Sequence, residues 1–283
     1  MVMNFGLSLR NTGPGASAEA IETGAETAER LGWKAIWTTD HVLVPESAAG
    51  EYGRTFEAIE TLAWAGARHP RLKLGTSVIV VPQRNAVVLA KELATLDLLS
   101  GGRLIAGVGV GWNETEFANL GAADRFHRRG AYLDETIRLW RHLWSGSTEP
   151  FHGVFHEFSD FVFGPLPIQG DRIPIIVGGS SPAALRRAGS LADGYHATRA
   201  TPDEMARRIP VVRAAAEAAG RPAPALSVRV PVSSDLAAML QDVRAFEELG
   251  VEHLALVFPE TDPANLAAAI ERFDGEVVKA LGS

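Results

Sequence analysis

The sequence predicts an α/β fold: a (β/α)8 TIM barrel with an insertion after its fourth strand. Three observations predict it. Short apolar, β-branched runs alternate with stretches of helical period along the whole chain. The strand runs are continuously apolar, as in a parallel sheet buried on both faces. The strand–helix unit also recurs about eight times in roughly 250 residues, the count of a barrel. Periodicity alone leaves a doubly wound open sheet as the alternative.

The elements follow in order. Asn4–Leu9 reads as a strand, and Ser17 caps a helix that runs to Leu31 and closes on Gly32. Ala35–Thr38 is the second strand and Phe56–Arg68 its helix, ending before Pro70. Leu72–Val80 is the third strand, and its helix Val87–Leu99 stops at Ser100-Gly101-Gly102. Arg103–Val108 is the fourth. The second half repeats the rhythm: Ile173–Val177 with Pro182–Ser190, Gly194–Ala197 with Pro202–Ala219, Leu226–Val230 with Asp235–Leu249, and His253–Phe258 with Pro263–Leu281. One barrel domain over 1–283 is expected, interrupted by a segment of about 112–172 that is too long for one crossover. Within it Trp112–Leu120 reads as a short helix and His127–Trp144 as a long one. Gly146–Gly164, rich in Phe, Gly and His, reads as an excursion or hairpin over the barrel mouth.

Composition narrows the function classes. With 34 acidic against 27 basic side chains the formal charge is −7, which gives no electrostatic support for a nucleic-acid or membrane-surface role. No apolar run approaches the roughly 18 residues that span a bilayer. The start Met1-Val-Met-Asn-Phe lacks the basic-then-apolar pattern of a secretory leader, so the expected location is the cytoplasm. There is no cysteine, hence no disulfide, thiolate nucleophile or zinc-thiolate site. Lysine occurs only at Lys34, Lys73, Lys91 and Lys279, the other 23 basic side chains being arginine; with abundant alanine, this suggests a GC-rich genome of the actinobacterial kind.

A barrel of this type places its active site at the C-terminal ends of its strands. There the sequence delivers Thr39-Asp40-His41, Gly75-Thr76-Ser77-Val78, Gly109-Val110-Gly111-Trp112-Asn113, Gly178-Gly179-Ser180-Ser181-Pro182 and Thr198-Arg199. Two glycines, two hydroxyls and a proline opening a helix suit a backbone that approaches an anion, typically a phosphate. A tight turn with a serine cap is the plainer reading. Gly109-Val110-Gly111 offers a neighbouring glycine turn but lacks dinucleotide-fingerprint spacing. Asp40-His41 provides an imidazole with an adjacent carboxylate, suited to proton transfer near neutral pH; a capping Asp40 beside a packed His41 is equally compatible. His152 and His156, four apart, lie in a segment unlike a helix; His69 falls at the wrong end of the barrel, and His127 and His142 on a surface helix. No metal is expected. Glycines for a phosphate, aromatics and a lone Asp-His pair suit a flat cofactor that performs the chemistry itself.

These segments, taken in order, resemble the luciferase-like monooxygenase superfamily, especially its branch using the deazaflavin F420. The resemblance rests on Thr39-Asp40-His41-Val42, Leu74-Gly75-Thr76-Ser77-Val78, Gly109-Val110-Gly111-Trp112-Asn113-Glu114, Ile176-Val177-Gly178-Gly179-Ser180-Ser181 and Ala192-Asp193-Gly194-Tyr195. It implies a barrel with the ring of the cofactor inside the mouth and its phosphate towards strands four and five. It implies further that Asp40 bonds the deazaflavin ring and that His41 is the catalytic proton donor or acceptor. Ser77-Val78 would be a bulge, often cis, that backs the ring; Gly109, Gly111, Trp112, Asn113, Gly178, Gly179, Ser180 and Ser181 would hold the ribityl and phosphate groups. Thr198 and Arg199 fall on the substrate side. Sugar-phosphate dehydrogenases of this branch carry a glutamate directly after the strand-four glycines, where this chain has Trp112, so sugar-phosphate dehydrogenation is disfavoured. The function implied is an F420-dependent oxidoreductase transferring a hydride to or from a small-molecule substrate. The alternative is an FMN-dependent monooxygenase supplied with reduced flavin by a partner reductase. Members commonly form homodimers.

Overall fold

The computed structural model describes residues 3–282. Eight parallel strands, β1 (Asn4–Ser8), β2 (Ala35–Thr38), β3 (Lys73–Thr76), β4 (Leu104–Gly109), β5 (Ile175–Gly178), β6 (Gly194–Thr198), β7 (Ala225–Pro231) and β8 (His253–Val257), follow one another around a ring. Two pairings close it: β1 on β8, with Gly6 opposite Ala255, and β3 on β4, with Leu74 opposite Leu104. The sheet therefore has no free edges, and the open-sheet alternative falls. Around it run α1 (Ala18–Arg30), α2 (Ala58–Arg68), α3 (Ala86–Ser100), α4 (Glu114–Asn119), α5 (Arg129–Trp144), α6 (Pro182–Leu191), α7 (Pro202–Ala218), α8 (Leu236–Glu248) and α9 (Pro263–Phe273). Side-chain caps start most of them, Ser17 for α1, Asn85 for α3, Asn113 for α4 and Thr201 in a capping box for α7. Among the described residues no helix is long and apolar enough to cross a membrane.

The main core lies between barrel and helices. A smaller cluster fills the barrel interior, where Trp37 packs with Ala35, Ile176 and Ala255. Gly75 makes room for the indole, since a Cβ there would lie 2.2 Å from its ring. His196 stacks on Trp37 with ring centroids 5.2 Å apart, and Trp37 Nε1 donates to His253 Nε2 at 2.9 Å. This layer gives the barrel a solid floor.

Three expectations need correction. The third strand is not continuous over Leu72–Val80. It breaks after Thr76, the Ser77–Val78 peptide is cis, and Ile79–Val80 then resumes pairing with β4. The long insertion helix begins at Arg129 rather than His127, preceded by a 3-10 segment over Ala123–Arg128. Finally, the Gly146–Gly164 excursion does not cover the mouth. Its short antiparallel pair, Phe151–His152 with Glu157–Phe158, lies on the outer side against α5 and α3. The buried Glu135 carboxylate of α5 accepts the amides of Val154, Phe155 and His156, and Lys91 of α3 donates to the Gly164 carbonyl while lying over Phe163. Three amides converging on one buried carboxylate hold the excursion to the outer helices.

Candidate functional site

The C-terminal rim opens into a cleft of about 310 Å³, walled by the ends of β2, β4, β5, β6 and β7 together with the segment after β3. Of the residues expected at the site, it brings together Asp40, His41, Ser77, Val78, Gly109, Gly111, Trp112, Gly178, Gly179 and Thr198.

His41 is the centre of the polar wall. Its Nδ1 lies 3.0 Å from Glu116 Oε2, and Glu116 Oε1 accepts the Val42 amide at 2.8 Å. Glu116 is 1% exposed. Burial alone would raise its carboxyl, but the hydrogen bonds from His41 and Val42 prevail and hold it below the usual range. An ionised carboxylate at Nδ1 fixes the proton there and leaves Nε2 as the free ring nitrogen. His41 packs against Tyr52, ring centroids 4.1 Å apart, and not against Trp37. Trp112, 61% exposed, stands edge-on to His41 at the mouth.

Val78 forms the opposite surface. Gly109 and Gly178 leave the space it fills, since a Cβ at Gly109 would lie 2.6 Å from Val78 Cγ2 and one at Gly178 3.1 Å from Cγ1. Gly111, at φ +74°, passes close to Val80 and Phe117. These glycines thus serve the wall itself. The hydroxyl of Ser77 lies 2.8 Å from His196 Nε2, and His196 Nδ1 lies 2.7 Å from Ser227 Oγ. Burial drives His196 down to about 3, with His253 and Arg229 adding to it, so the ring is neutral. Ser227 donates to the Tyr195 carbonyl, hence accepts from Nδ1–H. Nε2 then accepts from Ser77, whose hydroxyl offers the cleft lone pairs only.

Several expected residues bond to the protein itself. Asp40, 3% exposed, accepts the Val80 amide at 2.9 Å and the Arg84 guanidinium at 2.6 Å, and so braces the segment after Val78. Asn113 caps α4 through Glu116 N, and Ser181 caps α6 through Ala184 N. Ser180 is exposed at the α6 turn, where neither its amide nor that of Gly179 donates to any described residue. Tyr195 pins the turn by donating to the Gly179 carbonyl at 3.0 Å. Arg199 pairs with Glu51 on the surface at 3.1 Å.

The family model of the luciferase-like monooxygenases matches residues 3–275. The chain belongs to that family. Among its relatives, an F420-dependent glucose-6-phosphate dehydrogenase of Amycolatopsis mediterranei is 34% identical over 202 residues, covering 69% of this chain and 58% of that protein. A solved F420-dependent secondary alcohol dehydrogenase, in complex with an F420-acetone adduct, superposes with TM-score 0.83 at 18% identity, covering 98% of this chain and 99% of that one. The oxygenating constituent of 3,6-diketocamphane monooxygenase from Pseudomonas putida, in complex with FMN, superposes with TM-score 0.78 at 16% identity, each chain covered to 99%. At those identities the two structures speak for the fold alone.

This luciferase-like oxidoreductase carries three polar cleft residues to which the sequence alone assigns no role, two of them, Glu116 and Arg229, not singled out at all. Glu116 sits 75 residues from His41, and its spacing from Asn113 looks like an ordinary capping box. Thr39 lines the cleft with a buried, unpartnered Oγ1. Arg229 projects from the middle of an apolar strand. A polar residue on the inward alternation of a barrel strand is the signal that would have found Arg229 and His196.

Proposed function

We propose that this chain is an F420-dependent oxidoreductase that transfers a hydride between the deazaflavin and a small organic substrate. One observation carries the proposal: His41, oriented by a buried ionised carboxylate, shares a cleft with the Val78 surface and the Gly178-Gly179 turn. The residues present fit such a group. Thr39 Oγ1 is an orphaned buried atom in the wall, Ser77 offers lone pairs for a ring N–H, and the Gly179 and Ser180 amides at the start of α6 suit an anionic tail.

When bound, F420 supplies the ring carbon that gives or accepts the hydride. The chain does the rest. Val78 presents an apolar face that would back a planar ring. His41 Nε2 holds or takes the accompanying proton, and Glu116 keeps the imidazole in the required tautomer and compensates its charge when doubly protonated. Asp40 and Arg84 act behind this layer by fixing the backbone at Val80. F420 is also named for the dehydrogenase relative and the alcohol dehydrogenase structure, which supports the reading.

The FMN reading draws support from the monooxygenase complex of similar fold. Titrating the purified protein with F420 and separately with FMN, following ligand fluorescence, distinguishes the two. Micromolar or tighter F420 binding with no FMN response is expected; the reverse pattern overturns the proposal.

A further inference from the structure

In β7 the side chains of Leu226, Val228 and Val230 are buried in the outer core, while the alternate positions Ser227 and Arg229 face the barrel. The Arg229 guanidinium lines the cleft and donates through Nε to Ser8 Oγ at 3.2 Å. Among the described residues its two Nη groups make no hydrogen bond or ion pair. The nearby acid, Glu51, accepts Arg199 at 3.1 Å and the Tyr52 hydroxyl at 2.8 Å, both at Oε1, and forms no ion pair with Arg229. Burial, reinforced by Arg199 and only partly offset by Tyr52 and Glu51, lowers Arg229 to about 10, which still leaves it a cation at neutral pH.

A partly buried cation with no ion-pair contact is unfavourable, and such groups gather at ligand sites. The free edge of a guanidinium is a planar fork that matches a carboxylate through two parallel hydrogen bonds. Its place in the ring separates it from the α6 turn, because β6 intervenes between β5 and β7. Its bond to Ser8 sets it instead against β1, the neighbour of the strand that leads to His41.

We infer that Arg229 is the anion-recognition residue of the substrate side, and that the substrate carries a carboxylate which its two Nη groups bind. Calling that ligand the substrate rests on the F420 reading; the anion site itself does not.

Benzoate is the probe, titrated by calorimetry into protein without cofactor. Wild type is expected to bind it, and Arg229→Met to weaken it at least tenfold, the loss of a charge-assisted pair. F420 affinity of the same variant should stay within about twofold, and its thermal midpoint should not fall, because no ion pair is lost. Arg229→Lys, which keeps the charge and loses the fork, should bind benzoate more weakly than wild type; it carries the test if the methionine variant does not fold. Absence of benzoate binding to wild type, or equal binding by wild type and variants, overturns the inference. So does tighter binding of phenyl phosphate than of benzoate. A fall in F420 affinity with benzoate binding intact makes Arg229 a cofactor contact and also overturns it. Arg229-dependent benzoate binding in a protein that ignores F420 leaves the anion site standing and removes the F420 reading instead.

Discussion

Acid should unfold this protein earlier than its carboxylates alone dictate, because two histidines, the buried His196 and the half-buried His253, are held neutral in the barrel floor. His196 and His253 are each lowered from 6.5 to about 3, burial being the largest cause for both. Geometry agrees: Trp37 Nε1–H points at His253 Nε2, and His196 Nε2 accepts from Ser77, so a proton on either nitrogen would face a donor. Between pH 6.5 and 3 the unfolded chain binds protons that the native state refuses, so stability declines as pH drops through 6.5. The linkage relation gives about 2 kcal/mol per histidine on going from pH 7 to 5, or about 4 for the pair. That is a large share of a typical folding free energy of 5–15 kcal/mol. With a urea slope near 3 kcal/mol per molar, the midpoint should move down by roughly 1 M. Urea unfolding at pH 7, 6 and 5, followed by far-UV circular dichroism, measures this directly. His253→Gln keeps an acceptor for Trp37 without the titration and should halve the decline. A midpoint that stays level from pH 7 to 5, or a variant that declines as steeply as wild type, would refute the reasoning.

Further outcomes concern the cleft. His41→Ala should retain F420 affinity in a fluorescence titration while turnover falls by at least about 10²-fold, the scale of general acid–base catalysis; lost binding would make His41 a ligand contact instead. Glu116→Gln should lower turnover as well, and the ¹⁵N resonances of His41 should show that the Nδ1–H tautomer no longer dominates, a change that a merely structural role would not produce. Gly109→Ala sets a Cβ 2.6 Å from Val78 and should destabilise the protein by about 1–3 kcal/mol in urea unfolding while weakening F420 binding.

The barrel was legible because its grammar is local. Continuous apolar strands, Ser17, Thr201 and Asp262 as caps, and glycines after helices each announce themselves within a few residues. His41 and the glycine turns were legible for the same reason, since strand ends indicate the rim. Glu116 was not, because its partner lies 75 residues away and a carboxylate three residues after an asparagine carries the same pattern whether it closes a capping box or holds a histidine. Asn113 and Ser181 show the converse: residues placed beside a ligand by resemblance use their side chains to start helices. Gly109 and Gly178 have a reason that precedes any ligand, because Val78 needs the room. The outward path of the 146–164 excursion depends on Glu135, whose three amide partners no periodicity reveals.

The indole of Trp37, wedged among the strands with two imidazoles, floors the cylinder and turns its upper end into a vestibule that opens at the rim. For two ligands sharing this chamber the order of addition becomes a measurable quantity, and product-inhibition patterns that fit random addition would show that the barrel imposes none.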